Sequence, residues 1–154
     1  MKKILSLIIL IVVHAFSAHA QQKDYAKFTI TKAVVDGYDH SATYKSNGAY
    51  LVFYKSENNE FCLANVWPKS DTQSYGIITD WKEYNYKETS TEYATDVFKF
   101  NWHFENSYDD KKGVAACRLI KIYKPSGVIY EYEYVLSNGS TARFSGYMQG
   151  TMKF

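Results

Sequence analysis

The sequence predicts an all-β fold: an antiparallel up-and-down meander of about eight to ten strands closed into a barrel, with a two-sheet sandwich as the alternative. Three observations carry this. The 154 residues include 15 Tyr, 9 Phe and 3 Trp but only 2 Pro, a composition that suits half-buried pleated surfaces. Beyond the N-terminal segment, apolar residues alternate with polar ones and never hold three-four spacing over a long stretch. Gly-bearing turn signals follow one another closely, which joins successive strands antiparallel. A meander without crossover helices has to hide its edges, and closure does this most economically.

The first element is not part of the barrel. Lys2 and Lys3 precede an apolar run from Ile4 to Val13, and Ala18-His19-Ala20 gives a small-x-small cleavage pattern. Residues 1–20 therefore read as a signal peptide, too short for a membrane span. Residues 21–154 form one domain of ordinary size. The leader removes two Lys and no acid, so the formal charge of +2 falls to neutral. A neutral chain without basic runs argues against nucleic acid or an anionic membrane surface as partner. No cysteine sits at the cleavage junction and no later run is long enough for a membrane helix, so the expected location is periplasmic or extracellular. Asn138-Gly139-Ser140 reads as turn chemistry rather than a glycan acceptor.

The strands come in order. Phe28, Ile30 and Val34 mark the first, ended by Asp36-Gly37. A short strand around Ala42–Lys45 leads to a Ser46-Asn47-Gly48 turn, which would pair Tyr44 with Tyr50. Ala49–Lys55 and Glu60–Trp67 flank Glu57-Asn58-Asn59, and Pro68 closes the second of them. Gln73–Trp81 is a further strand, and the polar stretch 82–96 is either a strand pair or a flap. Residues 97–105 alternate most cleanly, with Phe98, Phe100, Trp102 and Phe104 on one face and Lys99, Asn101, His103 and Glu105 on the other. Three strands joined by short turns complete the chain.

Pro125-Ser126-Gly127 and Ser137-Asn138-Gly139 both read as three-residue hairpin loops with Gly at the left-handed position. That register sets Lys121 against Glu131 and Glu133 against Arg143, two opposite-charge pairs. On the other face it sets Ile122 against Tyr130, Ile120 against Tyr132 and Tyr132 against Phe144. Arg118 then shares a face with Tyr130, Tyr132, Tyr134 and Phe144.

Phe98-Lys99-Phe100-Asn101-Trp102, Ile120-Lys121-Ile122 and Tyr130-Glu131-Tyr132-Glu133-Tyr134, with their tight Gly turns, resemble the small secreted barrels of the lipocalin-like (calycin) group. The resemblance is architectural and covers most of the chain. Asp36-Gly37-Tyr38 stands where a lipocalin carries Gly-x-Trp, and no helical lid of the fatty-acid-binding type is visible. The resemblance implies a ligand cavity. Its expected lining is Arg118, Tyr130, Tyr132, Tyr134, Phe144, Phe98, Phe100 and Trp102, with the guanidinium holding the carboxylate of a small amphipathic ligand. The plainer reading places Arg118 near the mouth, stacked on Tyr134 and reaching water, and makes the aromatics core filler.

Two further resemblances give other expectations. Ser126-Gly127-Val128-Ile129-Tyr130 is similar to the Ser-Gly-x-x-Tyr loop of periplasmic inhibitors of C-type lysozyme. Tyr147-Met148-Gln149-Gly150-Thr151 matches half of that family's second motif before Met152-Lys153 departs from it. This implies a protein-recognition or immunity-type module with Ser126 and Tyr130 as contacts. The alternation of Phe144, Met148, Met152 and Phe154 resembles the closing strand of a small outer-membrane barrel.

No catalytic constellation is legible. His40 and His103 lack the paired spacing of a zinc site, and no metal or cofactor is expected. Glu131 and Glu133 share a face, but each has a cationic partner in the register above. No nucleophile stands in an elbow or triad context. Cys62 and Cys117 read as two buried thiols, since a meander separates their strands, with a bridge as the alternative that would favour a sandwich, a flattened barrel or a different strand order. The expectation is a non-enzymatic exported protein that binds a small apolar ligand or another protein.

Overall fold

The computed structural model describes residues 25–151, so the leader and the C-terminal residues Met152 and Phe154 lie outside the described residues. In chain order the elements are β1 (Tyr25–Val35), β2 (Tyr38–Asp39), α1 (Ser41–Asn47), β3 (Tyr50–Lys55), β4 (Phe61–Trp67), a single 3-10 turn at Pro68–Ser70, β5 (Thr72–Tyr86), β6 (Thr95–Asn106), β7 (Lys112–Lys124), β8 (Gly127–Leu136) and β9 (Thr141–Thr151). Each long strand pairs antiparallel with the next, and β9 returns to pair with β1 from Ala142↔Val35 to Thr151↔Tyr25. Eight strands therefore close into a barrel, and β2 is a short flap on β1.

Closure needs β9 and β1 to approach without side-chain interference at one point. Gly146 lies opposite Ile30, and a Cβ there would stand 1.9 Å from the Thr29 carbonyl oxygen. Close by, β1 carries a bulge between Ile30 and Lys32, and the Thr31 hydroxyl donates to Ser145 O at 2.9 Å. The extra residue reverses the facing of the rest of the strand. Ala33 is fully buried, and Val34 turns outward although the sequence pattern puts it with Phe28 and Ile30.

The segment 41–47 is a helix, which corrects the expected strand and hairpin. Gly48 adopts φ +66° and its N–H donates to Lys45 O, a left-handed helix end. Asn-Gly serves that role as readily as a hairpin turn. The helix buries one residue, Tyr44, whose ring lies 4.3 Å from Trp67 and 5.2 Å from Phe144 and stops one end of the barrel.

Inside, the strand alternation of residues 97–105 holds: Phe100 and Trp102 are buried, and Phe98 and Phe104 pack against the core. Tyr132 is fully buried at the centre, 6.1 Å from Phe144 with near-parallel rings, 6.3 Å from Phe100, and edge-on to Phe53 at 6.2 Å. Its hydroxyl lies 3.1 Å from Cys117 Sγ. The Trp102 indole N–H donates to Leu63 O at 3.1 Å. This is close packing by the chain's own rings.

The Ser137-Asn138-Gly139 loop has the expected length: Leu136 N–H donates to Ser140 O, Gly139 takes φ +86°, and Glu133 pairs with Arg143 and Tyr132 with Phe144. The Pro125-Ser126 loop is one residue shorter than expected, because Lys124 pairs directly with Gly127. That single residue reverses β7 against β8. Leu119 pairs with Tyr132 and Cys117 with Tyr134, while Arg118 pairs with Glu133. The strand buries Cys117 and Leu119 and exposes Arg118. Burying a guanidinium instead would cost several kcal/mol.

Residues 82–96 resolve into a strand pair. β5 continues to Tyr86 against β6 after a bulge between Thr79 and Lys82, where Asp80 has φ +56° and its carboxylate accepts from Asn101 at 2.8 Å. The pairing of β5 with β4 begins at Ile77↔Cys62, so the stretch beyond it overhangs the β3–β4 turn. At the other side of this overhang, the β8–β9 ladder begins at Tyr130↔Gly146. The ends of β5 to β8 at this side, Tyr86, Thr95, Lys124 and Gly127, thus form one side of the barrel rim, the lip, at the end opposite the Tyr44 stopper, with β9 continuing beside them on β1 to Thr151.

Candidate functional site

The sequence-expected lining separates into three places. Phe100, Trp102, Tyr132 and Phe144 are buried and fill the interior; Phe98, Tyr130 and Tyr134 are partly buried at its ends. Arg118 is on the outer wall, which corrects its expected place among the phenols. Its Nε and Nη2 reach Glu133 Oε2 at 3.0 and 2.8 Å, and Arg143 Nη2 takes Glu133 Oε1 at 2.5 Å. The glutamate so bridges β7 and β9 through two arginines, and the Arg118 side chain is 44% exposed.

The lip brings together residues that no single motif joins. Alternation from Phe98, which packs inward, puts Asp96 on the same inner face; Lys121 lies opposite Asp96, Asn85 opposite it on the other side, and Tyr130 opposite Lys121. Asn85 Nδ2 donates to Asp96 Oδ1 at 2.8 Å and to Glu83 Oε1 at 3.1 Å. The Tyr123 hydroxyl donates to Asp96 Oδ2 at 2.5 Å. Lys121 Nζ stands 4.6 Å above the Tyr123 ring. The Tyr130 hydroxyl makes no hydrogen bond among the described residues.

Electrostatics match this geometry. Burial tends to raise the Asp96 carboxyl, but the hydrogen bonds from Tyr123 and Asn85 and the charge of Lys121 outweigh it and hold it below its ordinary range. Lys121 is held above its ordinary value, first by its hydrogen bond with Tyr123 and then by the charges of Tyr130, Tyr123 and Asp96. Burial chiefly raises the Tyr130 phenol. At neutral pH the lip carries the Asp96 carboxylate and the Lys121 ammonium, bonded to the Asn85 amide and the Tyr123 hydroxyl, with the Tyr130 phenol beside them.

Beneath this array lies an aromatic floor. Trp81, in the β5 bulge, stacks on Phe98 at 5.2 Å and on Phe100 at 5.3 Å. Farther in, the core is filled. Phe98 and Tyr130 were legible from sequence; Asp96, Lys121, Tyr123, Asn85 and Trp81 were not. The one signal in the chain was Tyr and charge at alternate positions of the stretch 82–96 and of β7, and the register that aligns them comes from pairing.

A second surface feature is a cleft of about 540 Å³ on the outer wall over β8, β9 and β1, lined by Lys32, Val34, Glu133, Tyr134, Val135 and Arg143 among others. Beside it, Asp36 in the β1–β2 turn accepts from Thr141 N–H at 2.7 Å and from the Ser140 hydroxyl. These hydrogen bonds, that from Thr141 first, lower its pKa.

The two cysteines are free and buried, as the sequence leads one to expect. Cys117 faces inward, and burial pushes its thiol up to about 12 despite the Tyr132 hydroxyl. Cys62 pairs with Tyr54, on the face opposite inward Phe53 and Leu63. His103 bonds the Thr79 hydroxyl at 3.1 Å on the outer face. Among the described residues no His/Cys/Asp/Glu group is arranged to hold a metal, and no helix is long and apolar enough to cross a membrane.

No family model, curated protein or solved structure matches the chain. The class is therefore set by the fold itself. It is a closed eight-stranded antiparallel β-barrel of lipocalin-like architecture, with a packed interior and one polar, open lip.

Proposed function

We propose that the chain is an exported, non-enzymatic binding protein that takes a small ligand at the lip of its barrel. Such a ligand has one apolar and one polar face. The observation that carries this reading is the Asn85–Asp96–Tyr123–Lys121 array mounted over Trp81 and Phe98, at the end of an interior its own rings already occupy. Pre-bonded polar groups above an apolar floor orient a ligand at little ordering cost. Export rests on residues 1–20, and mass spectrometry of protein recovered outside the cytoplasm is expected to find Gln21 at the N-terminus.

The test is amide-resolved NMR with decanoate, dodecylphosphocholine, tryptamine and maltotriose. Saturable shifts confined to the amides of Asn85, Asp96, Lys121 and Tyr130 are the expected result. Shifts centred on Tyr132, Phe144 and Leu63 would put the ligand inside and overturn the reading.

A protein-recognition role has its own support in the outer-wall cleft, where Val135 is exposed beside Arg143 and Lys32. In that case a partner protein protects the amides of Val34, Val135 and Arg143 from hydrogen exchange and leaves Asp96 and Lys121 unaffected.

A further inference from the structure

The chemistry of the lip narrows the ligand class, an inference that rests on the lip being the binding site. The ionised groups on its inner face are Asp96 and Glu83 against Lys121. Asp96 and Lys121 offset one another, and Glu83 leaves the surface with an excess negative charge. A fatty-acid carboxylate, a phosphate or a nucleotide would meet that excess unpaired. A long alkyl tail would also need a channel, and the barrel beyond Phe98 is filled by Phe100, Tyr132 and Phe53. A ligand cation would look for an open aromatic face near a carboxylate, but Lys121 already stands over the Tyr123 ring.

What the lip offers is a mixture of acceptors and donors a few ångströms apart. Asp96 and Glu83 accept, Lys121 donates, Asn85 accepts through Oδ1 while its amide hydrogens hold Asp96 and Glu83 in place, and the phenol of Tyr130 does both. Neutral hydroxyl groups need such a mixture, because each donates one hydrogen bond and accepts others. The floor of Trp81 and Phe98 suits a flat C–H face rather than a chain. We infer that the lip binds a neutral saccharide, its hydroxyl groups bonded to the Asp96–Asn85–Lys121–Tyr130 array and one ring face laid toward Trp81 and Phe98.

The experiment titrates the purified protein with maltotriose, cellotriose and chitotriose, following the lip amides by NMR and heat by calorimetry. At least one trisaccharide is expected to saturate and to shift Asn85, Asp96, Lys121 and Tyr130. Asp96→Ala and Lys121→Ala should each weaken it about tenfold or more, the usual effect of deleting a charged hydrogen-bond partner. Glu131→Gln, on the outer wall, should leave affinity within about twofold, since it removes no ligand contact. Asn85 is exposed, so Asn85→Ala keeps the test open where Asp96→Ala fails to fold. Decanoate, dodecylphosphocholine or tryptamine shifting the lip amides while every trisaccharide fails would overturn the saccharide assignment and leave the lip as the site. No shift at the lip with any probe would remove both. Saccharide binding unmoved by all three lip variants would overturn the assignment as well.

Discussion

The packed interior makes Tyr132 the most informative residue to remove. Its side chain is fully buried, with Phe53, Phe100, Tyr134 and Phe144 at 6.1–6.3 Å and the Cys117 thiol on its hydroxyl. Two substitutions separate what the ring does from what the hydroxyl does. Tyr132→Phe keeps the ring and deletes one hydrogen bond; Cys117 Sγ keeps its contact with Ala115 O at 3.5 Å. The expected loss is about 0.5–1.5 kcal/mol. Tyr132→Ala removes the ring from a site whose neighbours are strands fixed in a closed ladder, so collapse is limited and the loss is about 3–5 kcal/mol. Against a typical domain stability of about 5–15 kcal/mol, that is a large share. A double cycle with Phe144→Leu should recover a coupling of about 0.5–1.5 kcal/mol for the near-parallel pair. Equilibrium denaturant unfolding followed by far-UV circular dichroism measures all of these. A Tyr132→Ala loss below about 1.5 kcal/mol, less than the transfer of one buried large side chain, would mean the barrel is hollow where we describe it as full. The interior would then return as the binding site.

Other perturbations test the wall. Arg118→Ala should change stability by less than about 1 kcal/mol, as for an exposed ion pair; a loss of several kcal/mol in the same denaturant assay would return the guanidinium to the interior. Gly146→Ala puts a methyl group into the Thr29 carbonyl and should cost at least about 1–3 kcal/mol. The expected signature is faster hydrogen exchange along the β1–β9 seam, and native-like protection there would refute the closure geometry. Asp36 supplies a pH effect of known sign. Its folded pKa lies below the ordinary 3.8, so its stabilisation is complete above that value and is lost as pH falls through the folded one. Asp36→Asn should therefore flatten the acid side of a plot of urea midpoint against pH; parallel curves for the two proteins would contradict it.

Much of the barrel follows from the chain alone, because side-chain direction in a strand alternates locally. The inward Phe100 and Trp102, the tight turn at Ser137-Asn138-Gly139 and the Tyr132–Phe144 contact need only that alternation and a glycine able to take positive φ. Other features needed the folded molecule. Pro125-Ser126-Gly127 is compatible with two loop lengths that differ little in local energy. Burial of Leu119 and Cys117, with Arg118 left to reach Glu133 in water, selects the shorter. Asn47-Gly48 can turn a hairpin or end a helix, and the place of Tyr44 between Trp67 and Phe144 favours the helix. The bulges at Thr31 and Asp80 reset which residues face inward, and no local pattern announces them. The lip is the clearest case. Asn85, Asp96, Lys121 and Tyr130 lie on four strands and share a face only because pairing aligns them, and pairing is decided by burial summed over the whole ladder rather than by any one segment.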